Sequence, residues 1–487
     1  MITRGDNLDK QSSPIFQAMQ QYSADGALAF HTPGHKQGLG AYSLLKDLIT
    51  TEGLRCEVSL MEELDDLHTP QTCIKEAQSL AAELWHSDEV FFMINGTTSA
   101  VQAMIMSTLE PNDLVLVPRN AHRCVMSGLI LSGARPVYLS PAFDSEFEIT
   151  LNLTVESVEE AIEQYPQAKA LIIVSPNYYG VAADLTKIAD LLHEHGMLLL
   201  VDEAHGAHLH FSNRLPVSAI DAGADMSAQS THKLLGSLTQ TSMLMVKSKL
   251  IDVERVRRTV SLLQSTSPNY LLLASLDIAR LQMQQNGTEL IERAINLSQN
   301  LRQAIQNIDG LKTFDSVNGF NLDLTKVSVN VNELGLTGAE AEKILRHKYK
   351  IQCELSDLNN LLFLVTYADT DTEIDKLISA LKKLTSHKTS NYIKKINNSS
   401  FLIHNSSLKL TPREAFYAKT STVKLDDSIN EICAEEVTFY PPGVPILYPG
   451  EVITEEIVNY IKTNKKINSH LIGAADTSLN TIKIIRN

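Results

Sequence analysis

The chain has 487 residues, 44% of them apolar and 20% charged, with a formal net charge of −15. A length well beyond one domain of about 100–200 residues predicts two to four domains of ordinary globular composition, and the acidic balance disfavours nucleic acid as a partner while suiting a cationic ligand. No apolar run reaches the ~20 residues of a membrane helix, the start carries no signal core, and Cys56, Cys73, Cys124, Cys353 and Cys433 form no CxxC pair; a cytoplasmic protein with no membrane association, no disulfide framework and no metal centre is expected.

Residues 1–25 read as an arm with one short helix. Phe30 to Gly38 contains Pro33-Gly34 and Gly38 and reads as a loop. The acidic cluster Glu62 to His68 precedes a turn at Thr69-Pro70, and apolar residues at helical spacing predict a helix over 74–84. From Val90 the pattern is α/β. Short apolar runs at 90–94, 114–117, 136–139, 170–174, 197–201 and 243–246 read as buried strands, and helix-like stretches such as 100–109, 155–164 and 185–195 separate several of them. Such alternation predicts a mostly parallel sheet with helices on both faces, and ligands beyond the carboxyl ends of the strands.

After Leu262 the pattern changes. A long helix is expected over 270–305. A smaller α/β segment follows, with strands near 326–331 and 361–366 around a helix at 339–347. Residues 382–400, polar and basic, read as a linker. The remainder opens with a capping pattern at Thr411-Pro412-Arg413-Glu414. The expected organisation is an arm (1–25), a large domain (26–268), a small α/β domain (269–381), the linker, and a C-terminal α+β domain (401–487).

Four motifs follow strands. Asn95-Gly96-Thr97-Thr98-Ser99 opens a helix; its amides and hydroxyls suit a phosphate, although plain helix capping explains it equally well in isolation. Asn120-Ala121-His122-Arg123 puts an imidazole on the same rim, able to stack on a flat ring. Asp202-Glu203-Ala204-His205 is also a nucleotide-hydrolase signature, but the GxxxxGK[ST] loop that reading requires is absent from the chain. An Asp at a strand end can instead hold a pyridine nitrogen protonated. Metal binding by His205, His208 and His210 lacks a standard ligand spacing. Ser230-Thr231-His232-Lys233 leads polar residues into one lysine, which becomes a nucleophilic amine when desolvated or set beside another cation. Phosphate cup, stacking His, nitrogen-binding Asp and amine-bearing Lys, in that order, are what pyridoxal 5'-phosphate needs on a parallel sheet.

With HTPGHKQG, ELDDLHTP, NGTTSA, RNAHR, VDEAHGAH, QSTHKLLG, STSPNY, PREAF and YPPGVPILYPGE, the sequence resembles the bacterial ornithine/lysine/arginine decarboxylases of the aspartate-aminotransferase fold, in the short form of Gram-positive bacteria and cyanobacteria. The resemblance implies a fold-type-I large domain and a pyridoxal-phosphate-dependent decarboxylase of a basic amino acid. Arginine, giving agmatine for polyamine biosynthesis, is favoured over lysine and ornithine. An aminotransferase or aldolase of the same fold, or a non-catalytic regulatory relative, are the rivals. It implies Lys233 as the Schiff-base lysine, Asp202 at the ring nitrogen, His122 stacked on the ring and Ala204 against its other face. Thr97, Thr98, Ser230 and His232 would surround the phosphate. In a homodimer or higher homo-oligomer, Ser267 would complete the partner's site. The substrate's distal cation needs a carboxylate, with Glu435 first among Asp65, Asp66, Glu435, Glu436 and Glu451; Asp65 and Asp66 could instead fix their own loop, and Glu451 could cap the helix from Glu455. The chain departs from the pattern at Val101, where an Asn is associated with the phosphate helix, and at Thr72, where relatives often have Gly.

Overall fold

The computed structural model describes residues 8–389, 407–440, 445–465 and 470–486. They fall into two compact units, one of Met1–Thr108, Leu200–Asn213 and Val217–Glu289, the other of Leu109–Leu199, Arg214–Pro216 and Leu290–Asn487.

In the first unit, Glu89–Met93 pairs antiparallel with Ser242–Val246, which pairs antiparallel with Met226–Gln229. Met226–Gln229 in turn runs parallel to the end of Leu198–Asp202, with Asp202 opposite Ala228. Val90 to Met93 and Met243 to Val246 are buried on both faces of the sheet, which accounts for apolar runs without alternation. The helix Gly96–Thr108 buries Ala100, Val101, Ala103, Met104 and Ile105 and packs against Val253–Leu263, where Arg255 donates to the Met106 carbonyl at 3.0 Å.

The N-terminal arm is fastened to the long helix Tyr270–Gln306 by polar groups. Asp277 accepts from Ser13 Oγ at 2.9 Å and from the Ile15 amide at 3.0 Å, at the start of the helix Pro14–Ala24. Its other oxygen takes Arg280 Nη2 at 2.7 Å, and Arg280 also donates to the Lys10 and Ser12 carbonyls. Both side chains are fully buried, a placement tolerated only because each charge is paired and hydrogen-bonded.

In the second unit, Leu114–Pro118 lies parallel between Arg135–Leu139 and Ala170–Val174, with the helices Arg123–Ser132, Val155–Gln164 and Leu185–Glu194 in the connections. A smaller antiparallel sheet joins Lys326–Asn330, Asn360–Leu364 and Leu355–Ser356; Val327, Val329, Leu361 and Phe363 form a core with Leu377 and Leu381 of the helix Asp371–Leu384. Gly338 opens the helix Gly338–Ile344 because a Cβ there would lie 2.4 Å from the carbonyls of Asp357 and Asn360. That helix then widens into a π-turn, Leu345–Tyr349. The first expected linker residues continue the helix Asp371–Leu384 and the turn Thr385–His387; 390–400 lie outside the described residues.

The C-terminal part pairs Thr420–Lys424 with Thr481–Ile485 and sets Val437–Tyr440 between Pro445–Leu447 and His470–Ile472. Phe439, Leu447, Ile457, Ile461 and Ile482 form its core. The capping pattern at Thr411 is a complete capping box: Thr411 Oγ1 accepts from the Glu414 amide at 3.2 Å, and Glu414 accepts from the Thr411 amide at 2.7 Å. Glu451 is fully buried against Arg119. The Tyr448 hydroxyl donates to the Arg119 carbonyl at 3.1 Å and its ring stacks on Tyr138 at 4.5 Å. This clamp ties the end of the strand Leu114–Pro118 to the C-terminal module.

Candidate active site

The parallel strands Leu198–Asp202 and Met226–Gln229 end side by side. Beyond the second, Ser230 leads into a single turn of helix, Thr231–Leu234, which holds Lys233 with its amide on the Ser230 carbonyl at 3.1 Å. Beyond the first, Asp202 is buried and its Oδ1 accepts from the Ala204 amide at 3.2 Å. His205, also buried, places Nε2 3.0 Å from Lys233 Nζ.

The hydroxyls form a connected cluster. Thr97 Oγ1 donates to Ser242 Oγ at 2.8 Å and also meets Ser230 Oγ; Ser242 donates to the Gln229 carbonyl at 2.7 Å. Gly96, at φ +73°, opens the helix Gly96–Thr108 with its own amide on the Gln240 carbonyl at 2.8 Å and exposed Thr98 in the first turn. His232 Nδ1 donates to the Thr241 carbonyl at 2.7 Å, which leaves Nε2 as its second polar atom. Thr231 Oγ1 is buried and has no hydrogen-bond partner. An orphaned hydroxyl and clustered side-chain oxygens beside a helix start fit a bound phosphate.

Glu203 braces this end of the sheet. Its carboxylate is fully buried and accepts from the Ala219 amide at 2.8 Å, Ser227 Oγ at 2.8 Å and Gln229 Nε2 at 2.7 Å. Burial pushes its carboxyl up to about 7 despite those three donors.

Asp65 holds its own loop: it accepts from the amides of Asp66, Gln71, Thr72 and Ile74 at 2.8–3.1 Å, so its charge sits at the start of the helix Cys73–Leu84. Asp66 accepts from the His68 amide at 2.9 Å and from Thr69 Oγ1 at 3.2 Å. Ser267 is exposed and lines a cavity of about 360 Å³ with Asn95, Gln240, Ser265 and Asn269.

Two sequence candidates belong to the second unit. His122 is exposed and caps the helix Arg123–Ser132, its Nδ1 accepting from the Cys124 amide at 3.3 Å. Glu435 is buried and accepts from the Ala475 and Lys483 amides, each at 2.8 Å, beside a cavity of about 200 Å³ that Asp476 and Lys483 also line. Each carboxylate oxygen thus has one acceptor direction left.

In the first unit, therefore, Thr97, Ser230, Asp202 and Lys233 stand together, and Glu203, His205, Thr231 and Ser242 join them. His205 was visible in the sequence within the DEAH tetrapeptide; nothing in the pattern marks Ser242. His205 and His210 take different partners, Lys233 and Asp221, and among the described residues no group close enough to hold a metal unites His205, His208 and His210.

Solved structures share this architecture. The Francisella novicida lysine decarboxylase LdcF superposes with a TM-score of 0.84 at 22% identity, covering 99% of this chain and 82% of that one. An alanine–glyoxylate aminotransferase from Nostoc sp. superposes at 0.51 with 19% identity, over 64% and 86%. The chain is thus of the α/β class shared by aminotransferases and amino acid decarboxylases. Residues 13–330 match the Orn/Lys/Arg decarboxylase major domain and 394–477 the C-terminal domain: the chain belongs to the Orn/Lys/Arg decarboxylase family and is an amino acid decarboxylase. Among its relatives are arginine decarboxylases of Bacillus anthracis, 42% identical over 98% of both chains, and of Bacillus subtilis, 38% identical over 98% of this chain and 99% of that one. Among the described residues no helix is long and apolar enough to cross a membrane.

Proposed function

We propose that this chain decarboxylates arginine to agmatine and CO2 with pyridoxal 5'-phosphate, in the cytoplasm and as a step toward polyamines. The observation that carries the chemistry is Lys233 Nζ at 3.0 Å from buried His205, with buried Asp202 at the adjoining strand end. Arginine is supported by the names of relatives 38–42% identical over nearly the whole chain.

When bound, the cofactor's ring supplies the sink for the electron pair released as CO2 leaves. Lys233 would provide the amine that tethers it. Asp202, a buried carboxylate, would pair with the ring nitrogen and keep it protonated. Thr97, Thr98, Ser230, Thr231 and His232 would hold the phosphate, with Ser267 contributed by a second copy. His122 and Ala204 would be the ring's stacking residues. His205 Nε2, 3.0 Å from Lys233 Nζ, would accept a hydrogen bond from it and orient the side chain. The spare acceptor directions of Glu435 are available to the guanidinium.

The test is incubation of the cofactor-loaded protein with L-arginine, L-lysine and L-ornithine, following CO2, amine and keto acid. Agmatine and CO2 in equal amounts, formed fastest from arginine, are expected; a keto acid as the main product overturns the reading. Lys233→Ala should lose both turnover and the visible absorption of the bound cofactor.

A further inference from the structure

The histidine set aside from the active site, His210, lies in a second cluster. Asp221 accepts from His86 Nδ1 on one oxygen at 2.8 Å and from His210 Nδ1 on the other at 2.7 Å. The two imidazoles are 4.5 Å apart at 83°, and one donor atom from each of the three residues lies within 4.8 Å of the other two. We propose that His86, His210 and Asp221 bind a divalent transition-metal ion, Zn2+ above all, at a site separate from the active site.

The donors are two imidazole nitrogens and a carboxylate. That set selects zinc and its neighbours over calcium or magnesium, which prefer all-oxygen shells. Three protein ligands leave a fourth position for water. The side chain of His86 is 60% exposed, that of Asp221 27% and that of His210 12%, so the cluster is rigid on one side and open to an entering ion on the other. Zinc–ligand bonds of about 2.0–2.1 Å at tetrahedral angles require the ligand atoms to part by roughly half an ångström, and exposed His86 can supply that movement.

The scaffold supports this reading. His86 follows the helix Cys73–Leu84 and its C-cap residue Trp85, at φ +57°. That left-handed position after a helix is the one glycine usually fills; here it delivers an imidazole to Asp221. His210 sits in the turn Leu209–Phe211, held by Trp85 through its edge-on contact with Phe211 at 5.5 Å and its indole N–H on the Ala207 carbonyl at 3.3 Å. Ser218 Oγ donates to Asp221 at 2.7 Å and fixes the carboxylate from behind, as a supporting residue does for a ligand. The site stands at the amino ends of the strands Glu89–Met93 and Met226–Gln229, whereas Gly96 and Ser230 stand at their carboxyl ends. A five-residue strand is about 17 Å long, so an ion here takes no part in the decarboxylation chemistry; it would clip three chain segments together.

The experiment uses tag-free, cofactor-loaded protein stripped with a chelator. It is titrated with Zn2+ by calorimetry and analysed for retained zinc after desalting, for the wild type, His86→Gln and Asp221→Asn. The wild type should bind one equivalent per chain, raising its unfolding temperature. His86→Gln, at an exposed position that leaves the fold intact, should weaken binding at least about tenfold and abolish the shift, with turnover unchanged; loss of a group in or around a metal's shell typically costs about 10–100-fold. Co2+ in place of zinc should give four-coordinate d–d bands in the wild type that both variants lack. Equal zinc uptake by wild type and His86→Gln, or no uptake by the wild type, overturns the proposal.

Discussion

At the level of single residues, the role proposed for Lys233 can be tested through its contact with His205. The buried imidazole nitrogen 3.0 Å from Nζ is a hydrogen-bond acceptor that would orient the lysine side chain. A glutamine at 205 keeps a hydrogen-bonding group near the lysine but does not titrate. His205→Gln should therefore lower kcat about tenfold or more and change the pH profile of kcat, with cofactor content unchanged; a profile identical to the wild type would make His205 a packing residue only. Asp202→Asn tests the neighbouring charge. The hydroxyl cluster of Thr97, Ser230 and Ser242 is untouched by it, so cofactor should still bind. Charge-assisted hydrogen bonds contribute about 1.5–3 kcal/mol, so kcat should fall at least about tenfold. Asp202 and Thr97 could be singled out because each lies at or just past the end of an apolar run, and Lys233 because it ends a polar turn beyond a strand. Thr231 and Ser242 were not, because a hydroxyl in a strand or turn carries no pattern until the sheet brings it beside another.

At the level of elements, the N-terminal arm shows how a helix unable to bury much by itself is held. The helix Pro14–Ala24 buries Ile15, Met19 and Tyr22, and its entry is fixed by Asp277 and Arg280. Removing one member of a buried pair strands the other charge at a cost of about 3–5 kcal/mol. Asp277→Ala should lower the unfolding temperature markedly and make the segment before Pro14 sensitive to protease, which limited proteolysis would show. None of this was visible in the sequence, since Asp277 and Arg280 sit in an amphipathic stretch where an i, i+3 pair normally faces solvent. The strands and helices themselves were legible: the expected runs at 170–174 and 155–164 match Ala170–Val174 and Val155–Gln164, and the long helix ends one residue beyond 305. The direction of Ser242–Val246 was not. The twelve residues between it and Met226–Gln229 hold only the Lys233 turn and no crossover helix, so the chain returns antiparallel.

At the level of the whole molecule, some buried charges are paired and others only hydrogen-bonded, and only the latter respond to pH near neutrality. Arg119 and Glu451 compensate each other in the second unit. Glu203, in the first, has hydrogen bonds but no cation, and burial lifts its carboxyl from the usual 4.5 to about 7. The folded state therefore holds a proton that the unfolded chain has released between those two values. Stability falls as pH rises wherever the native state binds more protons, so the contribution of Glu203 is fully present below about pH 4.5 and is lost as pH approaches 7, at up to about 1.4 kcal/mol per pH unit. Asp221 acts in the opposite sense: its folded carboxyl lies well below 3.8, so its contribution is present above that value and lost only in stronger acid. The two windows do not overlap. Thermal unfolding of the cofactor-saturated protein should show a midpoint that declines from pH 5 to pH 7. In Glu203→Gln part of that slope should vanish, because the new amide does not titrate and Gln229 can turn its own oxygen toward it. The same slope in wild type and variant would place the titrating group elsewhere.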